Sequence, residues 1–371
     1  MKYYIIAGEA SGDLHGSNLI KELKKTDPQA EIRCWGGDKM EQAGATLVKH
    51  YRDLAFMGFV EVIKNLPAIL KNFSFCKKDI AAYNPDAVIL IDYPGFNLRM
   101  AKWTKENHFK TIFYISPQIW AWKENRVKAI KKYVDKMLVI LPFEKEFYKK
   151  WEYPVTYVGH PLEDVVENFM SLHPEIKKEP NTIALLPGSR KQEIKTKLPI
   201  MLEASKNFPE YTFIVAKAPG MDESFYEEFL QEYKNVQTAS DNTYAVLMRS
   251  SAALVTSGTA TLETALFGVP EIVCYKGSAI SYEIAKRLIK LKFISLVNLI
   301  MDKEVVKELI QNELNKENIT LHLKELLNDS QKKIQIQKDY THLKEILSKG
   351  GNASHNAAEE IIRFLNPAKG I

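Results

Sequence analysis

Cysteine is nearly absent. Cys34, Cys76 and Cys274 are far apart, form no CxxC pair and stand in no His-rich cluster. That excludes a disulfide framework and a zinc site of the usual spacing, and small buried thiols are the simple reading. Long apolar runs are missing too. No stretch approaches the ~18–20 uninterrupted apolar residues that span a bilayer. The opening residues, 1–7, run straight into a polar turn, without the longer apolar region and cleavage site of a signal peptide. The chain is therefore expected to stay in the cytoplasm. There is no low-complexity tract and no internal repeat. The first apolar run is not followed by Gly-x-Gly-x-x-Gly, and no acidic residue follows the second where it would hold the ribose of NAD. A plain dehydrogenase is disfavoured.

What is present is the composition of a soluble globular protein: 371 residues, 46% hydrophobic and 26% charged. That length is too great for one ordinary core and predicts two domains. The net charge of +5 is unevenly spread. Lys123, Arg126, Lys128, Lys131, Lys132 and Lys136 crowd one segment, with Lys145, Lys149 and Lys150 soon after. Such a patch either meets nucleic acid, an anionic membrane or a phosphorylated substrate, or is only a solvated helix face.

Short apolar runs alternate with amphipathic segments, the pattern of parallel α/β sheets. Strands are expected at Tyr3–Ala7, Glu31–Trp35, Ala87–Ile91, Lys110–Ile115, Lys136–Leu141 and Val155–Val158, with helices such as Leu14–Lys25 and Pro142–Trp151 between them. Residues 159–181 are rich in proline and charge and hold no strand candidate, so the domain junction is placed there. A second series follows at Thr182–Leu186, Thr212–Ala216, Ala252–Val255 and Glu271–Tyr275. Beyond about Ala279 the chain reads as helical, ending in an amphipathic helix over Asn352–Leu365. The expectation is α/β: two Rossmann-like domains facing across a cleft, with a helical C-terminal tail. The first domain is set at 1–160, the second at 161–350, and residues 351–371 form a helix packing back on the first.

In open parallel sheets, ligands bind beyond the carboxyl ends of the strands. After Thr182–Leu186 come Pro187, Gly188, Ser189 and Arg190. Glycine admits a close ligand, a helix start favours an anion, and Arg190 can grip phosphate oxygens; the alternative is a simple turn with a serine cap. After Ala252–Val255 the turn is again Gly-containing and hydroxyl-rich, with Ser257, Gly258, Thr259 and Thr261. Glu263, one turn on, either reaches a ribose diol or complements the helix dipole. In the first half, Gly8-Glu9-Ala10-Ser11-Gly12-Asp13 reads as a turn after the first strand. Asp92 ends the run Ala-Val-Ile-Leu-Ile and precedes Tyr93-Pro94-Gly95. A carboxylate held there suits a general base, or else caps the next helix. Trp120 and Trp122, in Ser116-Pro117-Gln118-Ile119-Trp120-Ala121-Trp122, either pack under the sheet or line a pocket.

GEASGD, MGFVEV at 57–62, IDYPGFN, SPQIWAW, LPFEKEFY, VGHPL, LPGSR and SGTATLE occur in one order along the chain. Together they resemble the lipid-A-disaccharide synthase family over nearly the whole length. LPGSR and SGT…LE are shared more widely among glycosyltransferases with two Rossmann domains. The resemblance implies transfer of 2,3-diacylglucosamine from its UDP derivative to 2,3-diacylglucosamine 1-phosphate, giving a β-1,6-linked disaccharide 1-phosphate and UDP. It implies inversion at the anomeric centre and no metal or cofactor; no DxD pair occurs in the sequence. Carried over by motif are Glu9, Ser11, Asp92, Arg190, Glu263 and Asn298. Asp92, Glu9 and Arg190 are the catalytic candidates; the backbone at Gly12 joins Ser11 as a substrate contact. Gly95 stands where the family often has a second Asp, which leaves Asp92 as the lone carboxylate of its turn. Lys303 stands where Arg is common, so a point cation replaces a fork.

Acylated substrates also call for a lipid surface. Met57, Phe59, Val60, Ile63, Leu66, Ile69 and Leu70, interrupted by lysines, suit an amphipathic element on the anionic inner membrane, the rival being an ordinary core helix. The implied protein is a monomer or homodimer that binds no nucleic acid. Two rivals stand: a UDP-N-acetylglucosamine epimerase-like enzyme, and a basic nucleic-acid-binding protein with aromatics among its lysines, which leaves the phosphate-type turns unexplained.

Overall fold

A computed structural model describes residues 1–54, 66–122, 124–218, 221–240, 242–278, 282 and 291–366. It divides into two units, Met1–Pro161 with Leu347–Ile371, and Leu162–Ile346.

Unit 1 contains β1 (Lys2–Ala7), β2 (Glu31–Gly36), β3 (Thr46–His50), β4 (Ala87–Ile91), β5 (Lys110–Tyr114), β6 (Lys136–Val139) and β7 (Thr156–Tyr157), in the order β3-β2-β1-β4-β5-β6-β7. Every pairing is parallel, with Ile5 opposite Ile89 at the centre. Strands sandwiched by helices must be apolar on both faces, and β4 is buried at all five positions. Tyr4, Ile6, Trp35, Leu90, Phe113 and Val139 form one side of the resulting core. Helix Leu66–Tyr83 adds Phe73, Cys76 and Ile80 at helical spacing. All three cysteines are buried thiols.

Unit 2 repeats the plan with β8 (Thr182–Leu186), β9 (Thr212–Ala216), β10 (Val236–Ala239), β11 (Ala252–Thr256), β12 (Glu271–Tyr275) and β13 (Lys307–Ile310), ordered β10-β9-β8-β11-β12-β13 and again parallel. Two parallel, Rossmann-like sheets are thus present.

β3, β10 and β13 were not anticipated from sequence. All lie at sheet edges and carry polar residues, so they lack the continuous apolar run of a central strand. The segment beyond Ala279, read as wholly helical, therefore contributes β13. The reading of Gly8–Asp13 as a turn also needs correction: the helix begins at Ala10 and runs to Thr26, so Ser11, Gly12 and Asp13 are helical. A Cβ on Gly12 would come within 3.0 Å of the Ala7 side chain, and glycine lets the helix close on the strand it has just left.

The chain returns to unit 1 through helix Ala353–Leu365, capped by Asn352, whose side chain accepts from the His355 amide at 2.8 Å. Lys136 pairs with Glu360 at 2.7 Å, and Asn356 Nδ2 donates to the Val158 carbonyl at 3.0 Å. Gly159 and Gly350 cross so closely that a Cβ on Gly350 would stand 2.3 Å from Gly159 Cα.

Glu271 is an exception to the apolar rule. It is fully buried, and neither carboxylate oxygen has a hydrogen-bond partner. Burial and the nearby Glu308 carboxylate raise its proton affinity well above the ordinary value, so folding favours the neutral acid. A folded-state pKa above the unfolded one makes stability fall as pH rises past the unfolded value of ~4.3. Glu271→Gln is therefore expected to raise Tm at pH 8 more than at pH 5, by ~2–4 °C per kcal/mol recovered. Calorimetry at the two pH values checks this; an unchanged or lower Tm at pH 8 contradicts a neutral Glu271.

Candidate active site

In unit 1 the strand order reverses between β1 and β4, the place where open sheets leave a ligand crevice. Glu9 follows β1 and Asp92 follows β4. Asp92 and Tyr93 both have left-handed backbones, with φ of 42° and 48°, a conformation non-glycine residues adopt at a cost. A buried amide compensates. Asn97, fully buried, donates from Nδ2 to the carbonyls of Asp92 at 2.9 Å, Ile91 at 3.1 Å and Ile6 at 3.3 Å. It ties the ends of β1 and β4 to the strained turn. The Tyr93 ring lies where a Gly8 Cβ would be, 2.3 Å from its nearest ring atom, so Gly8 has to lack a side chain.

Helix Pro94–Glu106 starts from Tyr93 without a side-chain cap, so Asp92 is not its capping residue. Burial and the Glu9 carboxylate push the Asp92 acid up to about 7, partly offset by a hydrogen bond from the Tyr93 amide. Asp92 was read as the lone carboxylate of its turn; in space Glu9 supplies a like-charged neighbour from another strand end. Ser11 and Glu9 are at least partly accessible, whereas Asp13 is buried and accepts from the amides of Gly37, Met40 and Lys39 at 2.8, 3.0 and 3.2 Å. Asp13 therefore serves the neighbouring turn.

The third strand end has a different character. Ile115 is β-branched yet has φ of 65°, and it opens the Ser116–Trp122 segment, whose last four residues are a short helix. Ser116 Oγ lies 2.6 Å from Tyr148 Oη, and the Trp120 ring meets Phe143 edge-on at 4.9 Å. The Trp122 side chain lies outside the described residues.

Unit 2 reverses its order between β8 and β11. Gly188 follows β8 with φ of 132°, and Gly258 follows β11 with φ of 145°, both backbones that favour glycine. Helices Lys191–Ser205 and Thr259–Leu266 start immediately afterwards. Ser189, Arg190, Gly258 and Thr259 are exposed. Thr261 is buried and bonds the Gly258 carbonyl at 2.9 Å, while Ser257 Oγ donates to the Ile294 carbonyl at 3.1 Å; both hydroxyls brace the turn. Glu263 accepts from Tyr244 Oη at 2.9 Å, and burial raises its carboxyl above the ordinary value.

Asn298, expected among the substrate contacts, is fully buried and saturated. It donates to the Val306 carbonyl and Glu308, both at 2.9 Å, and accepts from the amides of Val305 at 2.8 Å and Val306 at 3.0 Å. Its side chain shapes the loop that it belongs to. Lys303 pairs with Asp339 at 2.6 Å.

Of the apolar set assigned to a lipid surface, Met57, Phe59, Val60 and Ile63 lie outside the described residues. Leu66 begins helix Leu66–Tyr83, Ile69 packs on the core, and Leu70 and Phe75 are 56% and 46% exposed. No helix among the described residues is long and apolar enough to cross a membrane. In the basic segment Lys128, Lys131 and Lys132 are exposed, while Lys136 is taken up by Glu360.

The family described as Lipid-A-disaccharide synthetase matches residues 3–362. The chain belongs to this family of glycosyltransferases. The lipid-A-disaccharide synthase of Syntrophus aciditrophicus is 40% identical over 364 residues, 95% of each chain. That of Coxiella burnetii is 38% identical over 372 residues, 97% of this chain and 98% of its own. The resemblance carried by the eight sequence motifs is borne out. Among solved structures, UDP-GlcNAc 2-epimerase from Neisseria meningitidis bound to UDP-GlcNAc superposes with a TM-score of 0.67 at 13% identity, covering 99% of this chain and 100% of that one. The glycotransferase of kitacinnamycin gives 0.69 at 13% identity, covering 98% and 99%. At such identity the likeness is one of fold, the paired Rossmann-like domains of GT-B enzymes.

Asn97 offers the plainest test of the architecture in unit 1. Asn97→Ala leaves three carbonyls short of a donor and is expected to cost about 1–3 kcal/mol in urea unfolding. Loss of activity should exceed what that destabilisation explains, because Asp92 loses its anchor.

Proposed function

We propose that the chain condenses UDP-2,3-diacylglucosamine with 2,3-diacylglucosamine 1-phosphate, giving the β-1,6-linked lipid A disaccharide 1-phosphate and UDP. The observation that carries this reading is Asp92: a strand-end residue whose backbone carbonyl is tied down by Asn97 and whose carboxyl is poised near neutrality. A general base works best with a pKa near the operating pH.

In this reading residues 1–160 bind the acceptor and residues 161–350 the UDP-sugar. Asp92 takes the proton from the acceptor's 6-hydroxyl as its oxygen bonds to the anomeric carbon of the donor. The bond from that carbon to UDP breaks with its electron pair on the leaving diphosphate, and one in-line displacement inverts the centre. Arg190 and the turn amides at Gly188, Ser189, Gly258 and Thr259 stabilise the departing charge. Ser257 and Thr261 brace that turn, and Glu263 accepts from the ribose. Glu9 keeps the Asp92 proton affinity high, and Ser11 and the Gly12 backbone border the acceptor.

The exposed pair Leu70 and Phe75, beside Lys71 and Lys78, supports peripheral contact with an anionic inner-membrane surface.

Purified protein given both acylated sugars should release UDP and disaccharide 1-phosphate, and folded protein that makes no disaccharide would falsify the proposal. Asp92→Asn should lower turnover by about 10²–10⁴-fold while UDP still binds. The base must be ionised, so kcat/KM should fall as pH drops below about 7. Glu9→Gln removes the like charge that raises Asp92, so this limb should move to lower pH. A limb that stays in place or moves upward argues against the Glu9–Asp92 coupling.

A further inference from the structure

Lys197 stands where its helix calls for an apolar residue. Its neighbours on that face, Ile194, Leu198 and Met201, are fully buried, and Lys197 itself is 4% exposed. Its ammonium donates to the Thr256 hydroxyl at the end of β11, immediately before the Ser257–Gly258 turn. Burying an ammonium is costly unless a counter-charge is near, and here that counter-charge is Glu193 Oε2 at 4.0 Å.

That same oxygen occupies a notable position. It accepts from the Ser189 amide at 3.3 Å and lies 2.5 Å from where a Gly188 Cβ would stand. The other oxygen accepts from Arg190 at 3.3 Å. One carboxylate therefore sits on the glycine floor of the first turn, against its exposed amide, between an arginine and a buried lysine. An oxygen of a bound diphosphate would need these same partners. At the third helical position a glutamate also reaches back to cap the start, so it has an ordinary reason to rest there when no ligand is present.

We propose that Glu193 is the resting occupant of the diphosphate place, and that Lys197 is a buried cation of that place which the diphosphate takes over when Glu193 is displaced. This rests on the nucleotide reading of unit 2. The ligand class is a nucleoside diphosphate; a nucleoside without phosphates gains nothing from the exchange.

Titration calorimetry with UDP and with uridine, on the unaltered protein, Glu193→Gln and Lys197→Met, tests it. Glu193→Gln keeps the acceptor for the Ser189 amide but removes the competing charge, and UDP should bind ~3–5-fold tighter. Lys197→Met preserves helix and volume, and UDP should bind about 10–100-fold weaker. Uridine affinity should be unchanged in both. If Glu193 is a helix cap alone, Glu193→Gln weakens UDP binding or leaves it unaltered, and the inference fails. It fails equally if Lys197→Met, folded by circular dichroism, retains full UDP affinity. Should the unaltered protein bind uridine and UDP not at all, the nucleotide reading itself falls and takes the inference with it.

Discussion

Parallel pairing sends the carboxyl end of every strand in a sheet to the same edge. Where the strand order reverses, the helices on either side diverge and leave that edge open. Both units are built on this constraint, with the reversal between β1 and β4 in one and between β8 and β11 in the other. Each polar group argued to act in the reaction follows one of those four strands. Glu9 and Asp92 come from segments more than eighty residues apart, yet the register that sets Ala7 against Ile91 brings them near each other. The chemistry depends on strand order before it depends on any single side chain.

The two edges are then finished differently. Unit 1 concentrates backbone strain: Asp92, Tyr93 and Ile115 are non-glycine residues with positive φ, clustered at the ends of β4 and β5. Such positions persist only when the surroundings over-determine them, and the Asn97 amide and the Tyr93 ring on Gly8 are the fixtures that do so. Unit 2 uses glycine at the equivalent bends, with φ of 132° at Gly188 and 145° at Gly258. A base must be held in one geometry, whereas a nucleotide site has to admit and release a flexible diphosphate. Rigid strain in unit 1 and glycine in unit 2 match the different demands of the roles proposed for them.

The sequence made the centre of each sheet legible and the edges obscure. Ala-Val-Ile-Leu-Ile at 87–91 is unmistakable because both faces of β4 are covered; Val-Gln-Thr-Ala at 236–239 is not, because an edge strand needs little apolar surface. The candidate turns were legible because glycines and hydroxyls after an apolar run are punctuation. What could not be read was distance across strands. The proximity of Glu9 to Asp92 exists only once β1 and β4 pair. The saturation of Asn298 exists only once residues 305, 306 and 308 fold over it. The first helix was read late because the glycine in Gly8–Asp13 looked like a turn signal, though Gly12 is there for close packing on Ala7.

Carboxylates show how far environment, not residue type, decides the role. Asp13 is buried but surrounded by three amides, and it organises a neighbouring turn. Glu271 is buried with no donor, and its proton affinity is raised well above the ordinary value. Asp92 lies between these extremes: it is desolvated enough to want its proton and near enough to the edge to give it up. The Glu9 charge adds to the desolvation, and the Tyr93 amide restrains it. Without that amide, the desolvation and the Glu9 charge would raise the acid further. A left-handed turn that offers one amide, beside one like charge, keeps the group near neutrality, and this is the physical reason a strained Asp-Tyr-Pro turn is suited to this strand end.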